Sequence, residues 1–269
     1  MSQDEAVSAR LYEDDSDYNA DLAIAASHKD LLQWNHIQAI QQLKELPKEK
    51  SVRVLDIGCF NGFFVKELRD IGFDASGIDF NRKALEYGQS AYHLDGYISD
   101  RTLVELENQP ERFDVITMFE VIEHLEDFVT VIEQALRLLL PGGLLILSTP
   151  NSMMSWRPDL DTPPHHLSRF SPISIQRLME RFGLKVLFHA EQASFFDLVR
   201  NYIGSLLRNK SSQSMRGGEF RIKNTTNILR KIANKSKWVF YMLAKPLDKI
   251  LYLFGVRYIS QIVVARKAL

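Results

Sequence analysis

The chain has 269 residues, of which 45% are hydrophobic and 25% are charged, and its formal net charge is −1. This composition predicts a globular protein with a full hydrophobic core, built as one elaborated domain or as a domain with a substantial insertion. The single cysteine, Cys59, excludes an intrachain disulfide. No secretion signal follows Met1, and no apolar run approaches the roughly 18 residues of a membrane-spanning helix, so we expect a cytoplasmic protein.

The net charge hides an uneven distribution along the chain. Residues 1–30 carry eight acidic against two basic side chains, whereas residues 195–258 carry thirteen basic against three acidic ones. We expect the first stretch to be an acidic, flexible N-terminal segment. The second indicates either a polyanionic partner or an ordinary solvated surface.

The first predicted element is an amphipathic helix. Apolar residues between Leu31 and Leu43 recur at helical spacing, which predicts a helix packed on the core. A share in covering a bound ligand is the alternative for this helix.

From residue 52 to about 190, apolar runs of strand length alternate with helical patterns. The strand candidates include RVLDIG, DASGIDF, FDVITMFE and GLLILSTP, and a last one, SQIVVARK, lies near residue 269. Such alternation predicts a parallel α/β sheet with helices on both faces. The predicted organisation is a core over 31–194, a basic helical insertion over 195–258 and a last core strand over 259–269.

The stretch VLDIGCFNGFF follows the first of these strands and suggests a ligand site. Gly58 and Gly62 permit a tight turn and close backbone approach before a helix whose N-terminal amides favour an anionic group. Asp79 ends the second strand candidate, where a sheet presents a carboxylate to ribose hydroxyls, and Phe80 can cover an adenine ring. A ligand with a carboxylate, a ribose and an adenine satisfies all of these features.

Four ordered motifs, VLDIGCFNG, GIDF, FDVITMFEVIEHLED and LLLPGGLLILSTPN, resemble the class I S-adenosylmethionine-dependent methyltransferases. The branch that they resemble most contains the ubiquinone-pathway O-methyltransferases and many glycan and natural-product methyltransferases. The resemblance covers about residues 50–190 and the final strand. It implies a Rossmann-like seven-stranded sheet of order 3-2-1-4-5-7-6, with strand 7 antiparallel.

The resemblance also implies which residues bind S-adenosylmethionine. The ribose is expected on Asp79, and Asp100 is expected near the adenine amino group. The family commonly has glycine at the position of Phe60, so we expect altered packing of this loop without loss of binding. The methionine part of the cofactor is expected against Asp56, Gly58, Cys59 and Gly62, and Phe80 and Phe119 complete the predicted cofactor site.

The segment after the fourth strand supplies the candidate catalytic residues, Glu120 and His124. His124 is a candidate base for an acceptor hydroxyl, because neutral imidazole accepts a proton near working pH; the alternative is a hydrogen bond to the loop or to the cofactor. Relatives with the pattern Glu120-x-x-Glu123-His124 bind a divalent metal, with a downstream histidine that His166 could match, so a metal remains open as a second cofactor.

The loop after the fifth strand is expected to contact the acceptor. His165, His166 and Arg169 are candidate substrate contacts, and Trp156 could form an apolar lid or simply pack. Ser171 and Pro172 also predict the start of a helix.

The sequence thus predicts a methyltransferase that converts S-adenosylmethionine to S-adenosylhomocysteine, with O-methylation of a small-molecule, sugar or lipid-linked acceptor. Two alternatives stay open: an RNA 2′-O-methyltransferase, and a catalytically weak module for peripheral membrane or partner binding. Aromatic and basic residues within 205–258 would suit an anionic membrane surface at the inner face of a membrane, and nucleic acid is the less favoured partner.

Overall fold

The computed structural model describes residues 32–46, 51–155, 161–192 and 259–269, with the positions 247, 250, 251 and 253–255. The predictions for 1–30, for Trp156 and, apart from those few positions, for the basic insertion lie outside the described residues. The division into domains therefore stays a prediction. Within the described part of the chain, no helix is long and apolar enough to span a bilayer.

The described strands form one seven-stranded sheet in the order β3-β2-β1-β4-β5-β7-β6. Neighbours among β1 to β5 pair in parallel, and β7 is antiparallel to both β5 and β6. The predicted sheet order and the antiparallel last strand are confirmed. The strands are β1 (Arg53–Ile57), β2 (Asp74–Ile78), β3 (Ile98–Ser99), β4 (Phe113–Phe119), β5 (Leu139–Pro150), β6 (Leu184–Glu191) and β7 (Ser260–Lys267).

Helices cover both faces of this sheet, as predicted. One buried cluster joins side chains of α1, α2 and α3 to one face, and a second joins α4, α5 and α6 to the other. Alternate residues of β1 and β4 enter the two clusters, which is the two-residue period of a strand. The helices are α1 (Trp34–Leu43), α2 (Phe63–Asp70), α3 (Arg82–Tyr92), α4 (Leu103–Glu107), α5 (Phe128–Leu138) and α6 (Pro172–Arg181), with a 3₁₀ turn at Ile122–His124.

Strand β5 begins earlier than the sequence predicted. Its pairing with β4 shifts between Leu139 and Leu144, where Gly142 adopts a left-handed φ of +74°. Residues 141–143, Pro-Gly-Gly, predicted a break between a helix and a strand. In the structure they form an irregular bulge inside the strand. The predicted helix start after β5 is confirmed, because the Ser171 hydroxyl caps α6 by accepting the Ser174 N–H.

Candidate functional site

The carboxyl ends of the central strands bring three acidic residues to one edge of the sheet. Asp56 lies near the end of β1, Asp79 follows β2 and Glu120 follows β4. The Phe60 N–H donates to Asp79 Oδ2 at 2.7 Å, which joins the loop after β1 to the loop after β2. This edge is where open α/β sheets bind their ligands.

The loop after β1 turns through two glycines in the left-handed region. Gly58 and Gly62 have φ values of +77° and +72°, and the Gly62 N–H closes the turn on the Cys59 carbonyl at 2.8 Å. A Cβ on Gly58 would lie 2.5 Å from Cγ2 of Val121. Both glycines are therefore required by the backbone, as the sequence predicted for a close-approach loop.

Phe60, between these glycines, is also left-handed, with φ of +51°. For a residue with a Cβ this conformation costs about 1–2 kcal/mol. The 2.7 Å bond from its N–H to the Asp79 carboxylate offsets part of that cost. The loop thus keeps the glycine-like turn although it carries a phenylalanine.

Helix α3 packs closely against the same loop. A Cβ on Gly88 would lie 2.0 Å from the carbonyl oxygen of Asn61. Asn61 is buried; its Oδ1 accepts the Phe63 N–H at 3.1 Å, and its Nδ2 has no hydrogen-bond partner among the described residues. A buried amide donor of this kind fits a loop that receives a polar ligand group.

Asp79, the predicted ribose ligand, is anchored by two backbone N–H groups. Its Oδ1 accepts the Asn81 N–H at 2.8 Å, in addition to the bond from Phe60. Because an ionised carboxylate accepts at about four lone-pair positions, this anchoring is compatible with further bonds from hydroxyls. Phe80, next to it, is 52% exposed at the same edge, whereas Asp100 pairs with Arg82 at 2.9 Å.

Asp56 is buried and accepts a 2.6 Å bond from the Thr117 hydroxyl. Burial raises its pKa to about 7; the bond from Thr117 opposes this shift and the negative charge of Asp79 adds to it. The predicted cofactor residue is therefore a carboxyl whose ionisation a cationic ligand would favour.

The remaining predicted cofactor residues, Cys59 and Phe119, lie in different surroundings. The thiol of Cys59 is buried against β2, where a Cβ on Gly77 would lie 2.7 Å from Sγ, so any cofactor contact rests on the Cys59 backbone. Phe119 lies at the edge in an aromatic cluster, with ring centroids 5.0 Å from Phe64 and 4.8 Å from His36. Since His36 belongs to α1, this helix covers the edge as well as packing on the core.

Glu123 is the most buried acidic side chain of the segment after β4, with 1% exposure. Neither of its carboxylate oxygens has a hydrogen-bond partner within 3.5 Å in the described part of the chain, although the Thr149 hydroxyl and the Glu120 carboxyl lie close to it. Burial, and next the neighbouring carboxyl of Glu120, raise the pKa of Glu123 well above its usual value. A buried, unpaired carboxyl group of this kind requires a proton or a cation.

The His124 ring is held in one orientation by the loop over residues 161–170, which is predicted to contact the acceptor and is called the acceptor loop below. Its Nδ1 lies 2.7 Å from the carbonyl oxygen of His165, so Nδ1 carries the proton and Nε2 is the acceptor nitrogen. Burial lowers the pKa of His124 to about 4, with a smaller contribution from His166 in the same direction. The ring is therefore neutral at physiological pH, with Nε2 4.0 Å from Glu123 Oε1.

The His166 ring is oriented by a carboxylate. Its Nδ1 lies 2.8 Å from Oδ1 of the buried Asp161, and its ring meets that of His124 edge-on at 4.7 Å. Ligand atoms of Glu123, His124 and His166 all lie within 4.8 Å of one another. Two imidazoles and a carboxyl group, with a carboxylate behind one imidazole, are a donor set that fits a divalent cation.

Glu120, the other predicted catalytic residue, lies beside this group of three. Its Oε1 accepts 2.9 Å bonds from the hydroxyls of Ser148 and Ser260. Burial raises the pKa of Glu120, while these two hydroxyls and His166 favour its ionised form. The structure thus brings Glu123, His124 and His166 together. Glu120 lies beside them and is bound by two serine hydroxyls.

The remaining predicted acceptor contacts lie in the loop before α6. His165 contributes its carbonyl to His124, and Arg169 donates to the carbonyl of Asp161 at 2.8 Å. Their contact with an acceptor stays a prediction.

Sequence reasoning missed four residues: Asn35, Ser148 and Ser260 bind Glu120 directly or through one hydroxyl, and Asp161 binds His166. One local signal was available, because Asn35 interrupts the apolar stripe of α1. Asp161 and Ser260 become partners of the site only through contacts made in the folded chain.

Comparison with known proteins identifies the family. The family model described as "Methyltransferase domain" matches residues 31–189, which is more than half of the chain. The chain belongs to this methyltransferase family. The predicted resemblance to class I S-adenosylmethionine-dependent methyltransferases, and with it the prediction of an enzyme class and of its cofactor, is confirmed.

Two curated relatives match the core of this methyltransferase. A probable S-adenosylmethionine-dependent methyltransferase of Mycolicibacterium smegmatis is 30% identical over 57% of this chain and 61% of its own. A ubiquinone biosynthesis O-methyltransferase of Thiobacillus denitrificans is 36% identical over 37% of this chain and 44% of its own. The chain therefore spans about half of the length of these relatives.

Solved structures confirm the methyltransferase fold. Phosphoethanolamine N-methyltransferase 2 of Haemonchus contortus, solved with S-adenosyl-L-methionine, aligns with a TM-score of 0.63 and 16% identity over 97% of this chain and 60% of its own. A methyltransferase of Archaeoglobus fulgidus aligns with a TM-score of 0.52 and 15% identity over 86% of this chain and 92% of its own. At these identities the likeness concerns the fold alone.

Proposed function

We propose that this methyltransferase transfers the methyl group of S-adenosylmethionine to an oxygen of an acceptor with two neighbouring hydroxyl groups. The group formed by Glu123, His124 and His166, beside the cofactor edge, is the observation that carries this proposal. The O-methyltransferase relative of Thiobacillus denitrificans supports the acceptor atom. Small molecules, sugars and lipid-linked intermediates all offer such diols.

These three side chains would hold a divalent cation, which supplies Lewis-acid chemistry by lowering the pKa of a hydroxyl that it binds. A ligand role for His124 is favoured over a role as base. With a pKa of about 4, its Nε2 is a poor proton acceptor at neutral pH, whereas a neutral imidazole is the form that binds metals.

Glu120 is then the residue that receives the hydroxyl proton. Burial makes its carboxylate a stronger base than an exposed one, and Oε1 is already occupied by two hydroxyls, so Oε2 takes the proton. In the transfer the O–C bond forms, the C–S bond breaks and its electron pair stays on sulfur. The loop over 58–62 and Asp79 align the methyl donor for this displacement.

A groove beside the acceptor loop suggests the charge of the acceptor. It has a volume of about 520 Å³ and includes Arg169, Arg177 and Arg181, none of which forms an ion pair within the described part of the chain. Uncompensated arginines favour an anionic ligand. Because Arg169 lies in the loop predicted to contact the acceptor, we favour an acceptor that carries a carboxylate or phosphate in addition to its diol.

The test measures methyl transfer from radiolabelled S-adenosylmethionine to 3,4-dihydroxybenzoate, to neutral catechol and to an RNA duplex whose 3′ ends carry a 2′,3′-diol. Each reaction is run with Mg²⁺, Mn²⁺ or a chelator. We expect cation-dependent methylation of the charged catechol, which Glu123→Gln abolishes and Asp95→Asn, at an exposed position, leaves unchanged. Methylation of RNA alone would favour the RNA alternative, and equal transfer with chelator would overturn the role of the cation.

Cofactor binding is tested separately by isothermal titration of S-adenosylmethionine into the wild type and Asp79→Ala. We expect binding that the variant loses, because the ribose ligand is gone. Absence of heat with folded wild-type protein would contradict the enzymatic proposal as a whole.

A further inference from the structure

The backbone of Glu120 adopts a left-handed conformation that residues other than glycine rarely adopt. Its φ is +54°, in the left-handed region, which costs a residue with a Cβ on the order of 1–3 kcal/mol. Ser148 binds it twice, since its carbonyl accepts the Glu120 N–H at 3.0 Å and its hydroxyl donates to Oε1 at 2.9 Å. Ser260 adds a third bond at 2.9 Å. The surroundings therefore fix both the backbone and the carboxyl group of Glu120.

Asn35 determines the direction of the bond between Ser148 and Glu120. Its Oδ1 accepts the His36 N–H at 2.9 Å, so the atom that faces the Ser148 hydroxyl at 2.8 Å is the amide nitrogen, which only donates. The Ser148 oxygen must then accept from Asn35, and its own proton is left for Glu120. Because Asn35 is buried, with 4% exposure, water cannot readily replace it.

The three supporting residues come from distant parts of the chain. Asn35 lies in the first turn of α1, Ser148 near the end of β5 and Ser260 at the start of β7. Glu120 is separated from Ser260 by 140 positions, and Asn35 from Ser148 by 113. The hydrogen bonds therefore connect the helix that covers the cofactor edge, and the last strand, to one catalytic carboxyl group.

We propose that Asn35, Ser148 and Ser260 are positioning residues that orient the Glu120 carboxyl for methyl transfer. Both hydroxyls bind Oε1, so Oε2 is the oxygen that they leave to the acceptor hydroxyl. This inference rests on the role of Glu120 in the proposed function. It adds that the first turn of α1 controls the chemical step through a donor chain that ends on this carboxyl group.

Asn35→Asp is the sharpest variant, because it keeps the shape of the side chain and replaces the amide donor by an acceptor. The Ser148 proton is then drawn to residue 35 and away from Glu120. We expect kcat with 3,4-dihydroxybenzoate to fall roughly tenfold or more, with the KM for S-adenosylmethionine unchanged. Gln41→Glu makes the same chemical change on an exposed position of α1 and serves as the matched control.

Two variants of Ser260 test the hydrogen bond that β7 contributes to Glu120. Ser260→Ala removes one hydroxyl and should lower kcat in the same way, whereas Ser260→Thr keeps a hydroxyl and should retain most of the activity. Wild-type kcat in both Asn35→Asp and Ser260→Ala would overturn the proposal. Equal loss in Ser260→Ala and Ser260→Thr would also overturn it, because a role in packing alone predicts that result.

A spectroscopic readout makes the inference independent of the acceptor. In protein labelled with ¹³C at the glutamate carboxyl carbons, the Glu120 resonance is assigned with Glu120→Gln. We expect it to shift in Asn35→Asp and Ser260→Ala but not in Gln41→Glu. If the wild type methylates no diol, the proposed function fails while this shift still supports the hydrogen-bond chain; an unchanged resonance overturns the chain itself.

Discussion

Phe60 shows how one side chain can be kept at a position where the backbone favours glycine. Its left-handed φ and its bond to Asp79 belong to the turn that the cofactor loop requires. We expect Phe60→Gly to raise the free energy of unfolding by about 1 kcal/mol, because the Cβ strain disappears, and to retain S-adenosylmethionine binding. Urea denaturation and titration calorimetry measure the two effects.

Phe60→Ala is the matched control, since it removes the ring but keeps the Cβ. The difference between the two variants isolates the backbone contribution. If Phe60→Gly were no more stable than Phe60→Ala, the strain assigned to this position would be absent.

Asp56 makes stability depend on pH in the direction opposite to that of most acidic residues. Its folded pKa of about 7 lies above the unfolded value near 4, so the folded state binds the proton more tightly. The contribution of Asp56 is fully present below pH 4 and is lost as the pH rises toward 7, at up to about 1.4 kcal/mol per pH unit.

Urea denaturation at several pH values measures this slope. We expect Asp56→Asn to remove only the share of Asp56 in the slope between pH 4 and 7, to which Glu120, Glu123 and His124 also contribute, and the exposed Asp95→Asn to leave the slope unchanged. S-adenosylmethionine should restore stability at the upper end of the range, because its positive charge favours the ionised Asp56. The same slope in wild type and Asp56→Asn would contradict the assignment.

At the residue scale, the sequence predicted those groups whose role follows from local pattern. Gly58, Gly62 and Asp79 occur at strand ends in a characteristic order, and each lies where it was expected. Asn35 could not be assigned a role, since its partner is 113 positions away and the direction of the bond depends on a neighbouring backbone amide.

At the scale of elements, the acceptor loop and the 3₁₀ turn form one unit. The Leu167 and Ser168 N–H groups donate to the Glu123 carbonyl at 2.7 and 3.1 Å, and the His165 carbonyl accepts from the His124 ring. The loop thus fixes the turn that carries Glu123 and His124. The sequence predicted that this loop contacts the acceptor, which stays a prediction, but did not reveal that the loop supports the turn after β4.

Asp161 is the residue of this loop that orients His166. We expect Asp161→Asn to weaken Mn²⁺ binding roughly 10- to 100-fold, because the carboxylate that fixes the imidazole tautomer is lost. Titration calorimetry with Mn²⁺ measures this, with Asp95→Asn as the control. Unchanged Mn²⁺ affinity in a folded Asp161→Asn protein would show that His166 is not a ligand.

At the scale of the whole molecule, the last strand, β7, is joined to the C-terminal end of helix α5, which directly precedes β5 in the chain. The Lys267 ammonium donates to the carbonyls of Leu136 and Leu139, at 2.6 and 2.7 Å, where α5 ends. Cations at this end of a helix are favourable, and each charge-assisted bond contributes further.

Lys267→Met should therefore lower the free energy of unfolding by about 1–2 kcal/mol, because the α5 carbonyls lose their donor while the apolar part of the side chain is kept. Lys185→Met, at an exposed position of β6, is the control and should have little effect. Equal stability of the two variants in urea denaturation would contradict this role of Lys267.

The sheet order could be predicted as a whole because alternating strands and helices allow few arrangements, and the resemblance selected one of them. The start of β5 could not, since Pro141 and two glycines signal a break in any local reading. The bulge opposite β4 is a property of the paired strands and appears only when both are in place.

The position of Ser260 has a consequence for biosynthesis. A ribosome that has translated the cofactor loop, β4 and the histidine pair has produced most of the site, yet the hydroxyl that completes the support of Glu120 arrives with residue 260. Because β7 must also insert between β5 and β6, that hydroxyl reaches its place after β6 has been made. A nascent chain thus contains the residues predicted to bind the methyl donor before it contains all the residues proposed to orient Glu120.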